Sequence, residues 1–265
     1  MLNNLQKLHI TLDNICELNH FVHTHSLKNN TVGKEYTTMS FHGEEPNAES
    51  DPWHYKINKF GYRGENWSFD RQSIPFFGCS FTFGTGVEAD IATAVSLATG
   101  KTCHNLGQPG ASAISILKTF VAFNKLHSTD VAIVTLPQLE RVYYPTFLSN
   151  LNVWTYSSLI PHWKSKENEK VHNHAYNFFK DSTSAAYLYD YIKMAELSAE
   201  VNNTTIIWSS WDKITEQFLR EVTESKRIVQ VGDARLDLAR DGLHPGPKFV
   251  DHWKSNITLA LQDTF

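Results

Sequence analysis

The sequence is poor in cysteine, in long apolar runs and in charge of one sign. Its three cysteines, Cys16, Cys79 and Cys103, have neither the spacing of metal ligands nor that of a disulfide framework. A reducing compartment follows as the simplest setting, and a cytoplasmic location is the expectation. No stretch approaches the roughly 20 apolar residues that cross a bilayer. The start, Met1-Leu2-Asn3-Asn4-Leu5-Gln6-Lys7-Leu8, lacks the charged opening and unbroken apolar core of a secretory signal. With 24 Lys and Arg against 28 Asp and Glu, the formal charge of −4 provides no broad basic field. Nucleic acid and membrane are therefore not expected as partners.

What is present is ordinary globular material: 41% hydrophobic and 20% charged residues over 265 positions, enough to bury a sizeable core. From Ser73 onward, short apolar runs alternate with helical patterns, which argues for a parallel sheet covered on both faces. Strands are predicted at Ile74 to Phe77, Thr102 to Leu106, Asp130 to Leu136, Thr204 to Trp208 and Ile228 to Val231. Helices are predicted at Ile91 to Ala98, from a Ser112 cap to about Leu126, near Ala185 to Val201, near Trp211 to Val222, and from Pro247 to about Leu261. In the second of these helices Ile114, Leu117, Val121 and Leu126 are expected to face inward. The whole chain, 1–265, reads as a single domain. Residues 1–72 form an N-terminal extension that wraps it, opening with an amphipathic helix marked by Leu5, Leu8, Leu12, Ile15 and Leu18. Between Val142 and Asp181 the alternation stops. That aromatic-rich segment, 142–181, reads as an insertion near the site, either a lid or substrate wall or an oligomer contact.

The chain is organised around Ile74-Pro75-Phe76-Phe77-Gly78-Cys79-Ser80-Phe81-Thr82-Phe83-Gly84-Thr85-Gly86. A buried strand breaks at Gly78 and leads through a small hydroxyl residue toward a helix, which places Ser80 at the carboxyl edge of a sheet. Open N–H groups in such a turn favour a developing negative charge. Far downstream, Asp241-Gly242-Leu243-His244-Pro245-Gly246-Pro247 sets an acid three residues before a histidine in one turn. The carboxylate can hold one ring nitrogen while the other faces outward. Nucleophile, general base and orienting acid are thus all available in Ser80, His244 and Asp241.

These residues carry a resemblance. Gly78-Cys79-Ser80-Phe81-Thr82-Phe83-Gly84 resembles the first block of the SGNH, or GDSL, hydrolase family. Asn105-Leu106-Gly107-Gln108-Pro109-Gly110 resembles its second block and Asp241-Gly242-Leu243-His244-Pro245 its last. Asn58-Lys59-Phe60-Gly61-Tyr62-Arg63-Gly64 is similar to the lead-in of carbohydrate-esterase-like members. The resemblance implies an α/β fold, a three-layer α/β/α sandwich with a mainly parallel, flavodoxin-like sheet, and ester hydrolysis without a cofactor. It makes Ser80 the nucleophile, His244 the base, Asp241 its orienting partner, and the N–H groups of Ser80 and Gly107 oxyanion donors. A small acyl ester, acetyl above all and on a carbohydrate, is the implied substrate.

Two positions depart from the family pattern. Cys79 stands where an aspartate usually precedes the serine, which alters support of the turn and offers a second nucleophile. The third block normally supplies an asparagine; here Pro137-Gln138-Leu139-Glu140-Arg141 follows the strand. Gln138 is the nearest substitute because its amide also donates, the alternative being a loop glutamine facing water. Glu140 and Arg141 could clamp an anionic substrate or pair as a surface salt bridge. Gly84-Thr85-Gly86 lacks the Gly-Lys-Ser/Thr of a phosphate loop, Cys103-His104 reads as core, and His20, His23 and His25 lack the companions of a metal site. A weak or inactive binding protein on the same fold, or an O-acyltransferase, are the alternatives to an esterase.

Overall fold

The computed structural model describes residues 35–37, 54–56, 58, 62–139, 141–148, 153–159, 182–225, 227–239, 242 and 244–264. The expected first helix, the three clustered histidines, Glu140 and Asp241 lie outside these. In chain order the elements are β1 (Glu35–Thr37), β2 (His54–Lys56), β3 (Ile74–Gly78), α1 (Ser80–Phe83), α2 (Ile91–Thr99), β4 (Cys103–Gly107), α3 (Ala113–Leu126) and β5 (Val131–Leu136). They continue with β6 (Val142–Leu148), β7 (Val153–Leu159), α4 (Ser182–Asn202), β8 (Thr205–Ser210), α5 (Lys213–Val222), β9 (Ile228–Gln230) and α6 (Pro247–Gln262).

Five strands form one sheet in the order β4-β3-β5-β8-β9, and every pairing in it is parallel. This is the doubly wound, flavodoxin-like order, in which the chain starts in the middle, steps outward once and then reverses. The side-chain period of two divides the strands between two cores. Phe77, Leu106, Ala132, Val134, Ile206 and Trp208 face α3, α4 and α5 through Ile116, Leu117, Phe120, Leu188, Ile192 and Leu219. Ile74, Phe76, Val131, Ile133 and Ile207 face α2 and α6 through Ile91, Val95, Phe249, Trp253 and Ile257. The molecule is therefore a three-layer α/β/α sandwich. All six residues of β5 are buried, as suits a strand covered on both faces.

The helix starts follow local chemistry. Asp90 accepts a bond from Thr93 N–H, Ser112 from Ser115 N–H and Asp212 from Thr215 N–H, each satisfying an otherwise orphaned donor of the first turn. Two expectations need correction. In α3 the buried stripe is Ala113, Ile116, Leu117, Phe120 and Phe123, while Leu126 is 50% exposed. The helix turns its phenylalanines to the sheet, and the expected Ile114, Val121 and Leu126 lie at or beyond the margin of that face. The stretch after Val142 is not a continuous loop either: β6 and β7 pair as an antiparallel hairpin apart from the main sheet, from Val142 opposite Leu159 to Leu148 opposite Val153.

Candidate active site

In a sheet of this order the crevice opens at the carboxyl ends of the two strands where the winding reverses, here β3 and β5. Ser80 follows β3 there as the first residue of α1, only 6% exposed. Cys79 caps this turn by backbone alone, with no side-chain bond to the first N–H groups. The Ser80 hydroxyl makes no hydrogen bond among the described residues. Cys79 is completely buried, more deeply than Ser80.

The turn is held from three directions. Gly84 closes α1 in the left-handed conformation, φ 77°, accepted without strain only by a residue lacking Cβ. Beneath α1 runs the end of β4, where a Cβ on Gly107 would collide with the backbone of Thr82 and Phe83. Asn105 then uses its whole side chain as a strut: Nδ2 donates to Thr82 O at 2.9 Å and Phe83 O at 3.3 Å, and Oδ1 accepts from Gly107 N–H at 2.8 Å. The Gly107 N–H, expected as an oxyanion donor, is thus engaged by Asn105. From the third side comes Arg63. Its Nη1 donates to Phe83 O at 3.2 Å and Gly84 O at 2.7 Å, and its Nη2 to Val87 O at 3.0 Å and to Glu88 O. Its Nε lies 3.3 Å from Asp90 Oδ2, with both side chains almost wholly buried. The carbonyls around Gly84 to Glu88 point at a cation, the reverse of a phosphate cradle. The loop after β4 is pinned as well, with Gln108 Nε2 donating to Tyr62 Oη at 2.9 Å and Thr119 Oγ1 at 3.2 Å.

His244 reaches the same edge on a short folded-back loop before α6. Leu238 and Pro245 form an antiparallel bridge, Ala239 N–H donates to His244 O at 2.7 Å, and Gly246 N–H donates to Asp237 O at 3.0 Å. Asp237 does the work of a cap from outside the helix, its carboxylate accepting from Lys248 N–H at 2.9 Å and Phe249 N–H at 3.0 Å. The His244 ring meets the ring of Phe81, the residue after the serine, edge to face at 5.9 Å. On its other side Phe81 stacks on Trp211 at 4.4 Å. His244 is therefore brought against the residue that follows Ser80; Asp241 lies outside the described residues.

The third element of the site follows β5. Thr215 Oγ1 donates to Pro137 O at 3.1 Å, and Arg141 N–H to Gln138 O at 3.2 Å, so the turn is anchored at both ends. The Gln138 side chain is oriented: its Oε1 accepts from Arg141 Nε at 3.0 Å, which leaves the amide nitrogen as the donating end. Arg141 is itself buried, with its guanidinium carbon 5.4 Å from the centre of the Trp211 ring. Among the described residues no group of three His, Cys, Asp or Glu gathers as metal ligands. Cys103 is no candidate nucleophile, since burial, with help from the Asp90 charge, pushes its thiol up to about 12.

Sequence reasoning did not find Asp237, Phe81, Trp211 or the strut Asn105 as parts of the site. Asn105 and Phe81 had a signal, their places in the second and first blocks; Asp237 and Trp211 act through positions that no spacing rule marks.

Residues 39–142 match the family model described as Domain of unknown function (DUF6473). No curated protein matches the sequence. Among solved structures the chain is similar to an acetyl xylan esterase from the rumen bacterium Butyrivibrio proteoclasticus at 13% identity, covering 77% of this chain and 66% of that one with a TM-score of 0.49. It is also similar to a family 3 carbohydrate esterase of Clostridium thermocellum (14% identity, 73% and 98% covered, TM-score 0.42) and a GDSL-like lipase from Bacteroides thetaiotaomicron (13%, 74% and 90%, 0.40). At such identities and scores no residue role carries across, and the chemistry rests on this chain's own side chains. No helix among the described residues is long and apolar enough to cross a membrane.

Proposed function

We propose that the protein is a serine ester hydrolase acting on a small acyl ester, with an O-acetylated carbohydrate as the substrate class that the sequence resemblance favours. Ser80 Oγ attacks the acyl carbon while His244 takes its proton. The tetrahedral intermediate collapses to an acyl-Ser80, and the departing alkoxide receives that proton from His244. Water, deprotonated in turn by His244, attacks the acyl group and releases the acid and free Ser80. Asp241, three residues before His244, holds the imidazole in the required tautomer.

Oxyanion stabilisation falls to the Ser80 N–H and the Gln138 amide. The Gly107 N–H, which donates to Asn105, joins them only if it shares its proton between two acceptors. Gln138 has a longer arm than asparagine, but its carbonyl is tied to Arg141, which restores part of the preorganisation that such a donor needs.

The observation that carries this reading is the pairing at the reversal point of the sheet: a serine hydroxyl with no hydrogen bond among the described residues, and a histidine ring against its immediate neighbour. Turnover of p-nitrophenyl acetate by the full chain tests it. Ser80→Ala and His244→Asn are each expected to fall to the rate of the uncatalysed reaction or close to it. A Ser80→Ala protein that keeps the wild-type rate contradicts the assignment.

A further inference from the structure

Arg141 is more than a brace for Gln138. A guanidinium has five N–H donors, and a buried one ordinarily finds an acceptor for each or a carboxylate to neutralise it. Arg63 meets that requirement, with four carbonyls and the Asp90 carboxylate around it. Arg141, at 9% exposure, is nearly as deeply set. Its Nε is used on Gln138, and one Nη1 bond reaches Ala111 O at 3.5 Å, the long limit of a hydrogen bond. No carboxylate among the described residues pairs with it. Its remaining N–H groups have no acceptor there and are not wholly buried, so they face open space at the site rather than the protein interior.

The position of this unfilled fork matters. The guanidinium lies over Trp211, Trp211 stacks on Phe81, and Phe81 adjoins Ser80 and touches His244. The chain of contacts runs from the guanidinium to the residue that follows the nucleophile. Gln138 is tied to the same guanidinium.

Resting on the esterase reading, we infer that Arg141 receives a carboxylate of the substrate, so that the preferred ester carries an acid group beside the acylated hydroxyl, as an acylated sugar acid does. Planar, two-pronged pairing of guanidinium with carboxylate supplies the missing acceptors and neutralises the buried charge. Trp211 fixes the plane of the fork, and the partly desolvated setting strengthens the pair over one in open water.

The test compares 4-acetoxybenzoate with its neutral methyl ester on wild type, Arg141→Lys and Arg141→Met. Since Arg141 also orients Gln138, both esters are expected to slow in the variants, and the informative quantity is the ratio of their kcat/KM values. Wild type should favour the acid by roughly 10- to 100-fold, the range of one charged hydrogen-bonded contact. Arg141→Met should bring the ratio to about one, mostly through KM for the acid, with Arg141→Lys between. No preference in wild type, or a ratio that Arg141→Met leaves unchanged, overturns the inference. If neither ester is hydrolysed, the esterase reading fails by itself, and calorimetry with 4-acetoxybenzoate decides the anion site. Binding that Arg141→Met abolishes upholds it, and absence of binding to wild type overturns it.

Discussion

Two arginines are buried within reach of the same nucleophile turn, and they are opposites. Arg63 is saturated: four carbonyls and a carboxylate close around it, and what it holds is the loop that follows Ser80. Arg141 has one good bond, to Gln138, and an aromatic face beneath it. A buried charge with every donor used is a fastener; a buried charge with donors to spare is a receptor. The difference separates what builds this site from what the site is for.

Replacing each arginine by methionine breaks that comparison most directly. Removing one member of a buried, hydrogen-bonded pair typically costs about 3–5 kcal/mol, so Arg63→Met should lower the denaturant midpoint sharply and take activity with it. Arg141→Met removes one satisfied bond and should cost about 1 kcal/mol. Equal losses of stability for the two variants would erase the distinction.

Next in size is the donor that Arg141 steadies. Gln138→Ala should reduce kcat by about 10²–10³-fold with little change in KM, because the amide acts on charge that develops only in the transition state. Unaltered kcat reduces Gln138 to a spectator. Asp237 sharpens the comparison from the histidine side. It caps α6 from outside, so Asp237→Ala should destabilise the fold by about 0.5–2 kcal/mol. Because the His244 loop springs from the same residue, kcat should fall as well, with Asp237→Asn restoring part of both.

The smallest effect is one of pH. Burial lowers the His104 and His127 imidazoles below their ordinary 6.5, as both pack on Phe69. Below that value the unfolded chain binds protons more readily than the native one, so stability falls as pH drops from about 6.5 toward the native values and is level above it. Asp70 is lowered from 3.8 chiefly by its bond from the Ser73 hydroxyl, and its contribution is lost only in a separate window below that pH. Unfolding midpoints at pH 7.5 and 5.5 check the histidine part, and the drop should shrink in His127→Leu. A midpoint that rises on acidification contradicts it.

Much of the frame was legible in the residues. Five short apolar runs and their helices fall where the alternation predicts, within one to three residues, because strands buried on both faces are nearly continuous hydrophobic runs. The Ser80 turn was legible because a strand that ends in Gly78-Cys79-Ser80 has few other uses. What could not be read were contacts made across the chain. Arg63 lies beyond α1 in space but 17 or more positions before it in sequence, and Asp237 caps a helix that starts ten residues later. The phase of α3 was misjudged because its phenylalanines outweigh the aliphatic positions chosen. The β6–β7 hairpin escaped notice because the adjacent Tyr143 and Tyr144, with Pro145 after them, interrupt the period of two in β6.

The central claim is that Ser80, and not its buried neighbour Cys79, carries the acyl group. Acid-quenching the protein seconds after mixing with p-nitrophenyl acetate and locating the added acetyl by fragmentation mass spectrometry tests this directly. The account predicts one acetyl on Ser80, absent from Ser80→Ala and retained in Cys79→Ala; an acetyl on Cys79, or rapid turnover by Ser80→Ala, contradicts it.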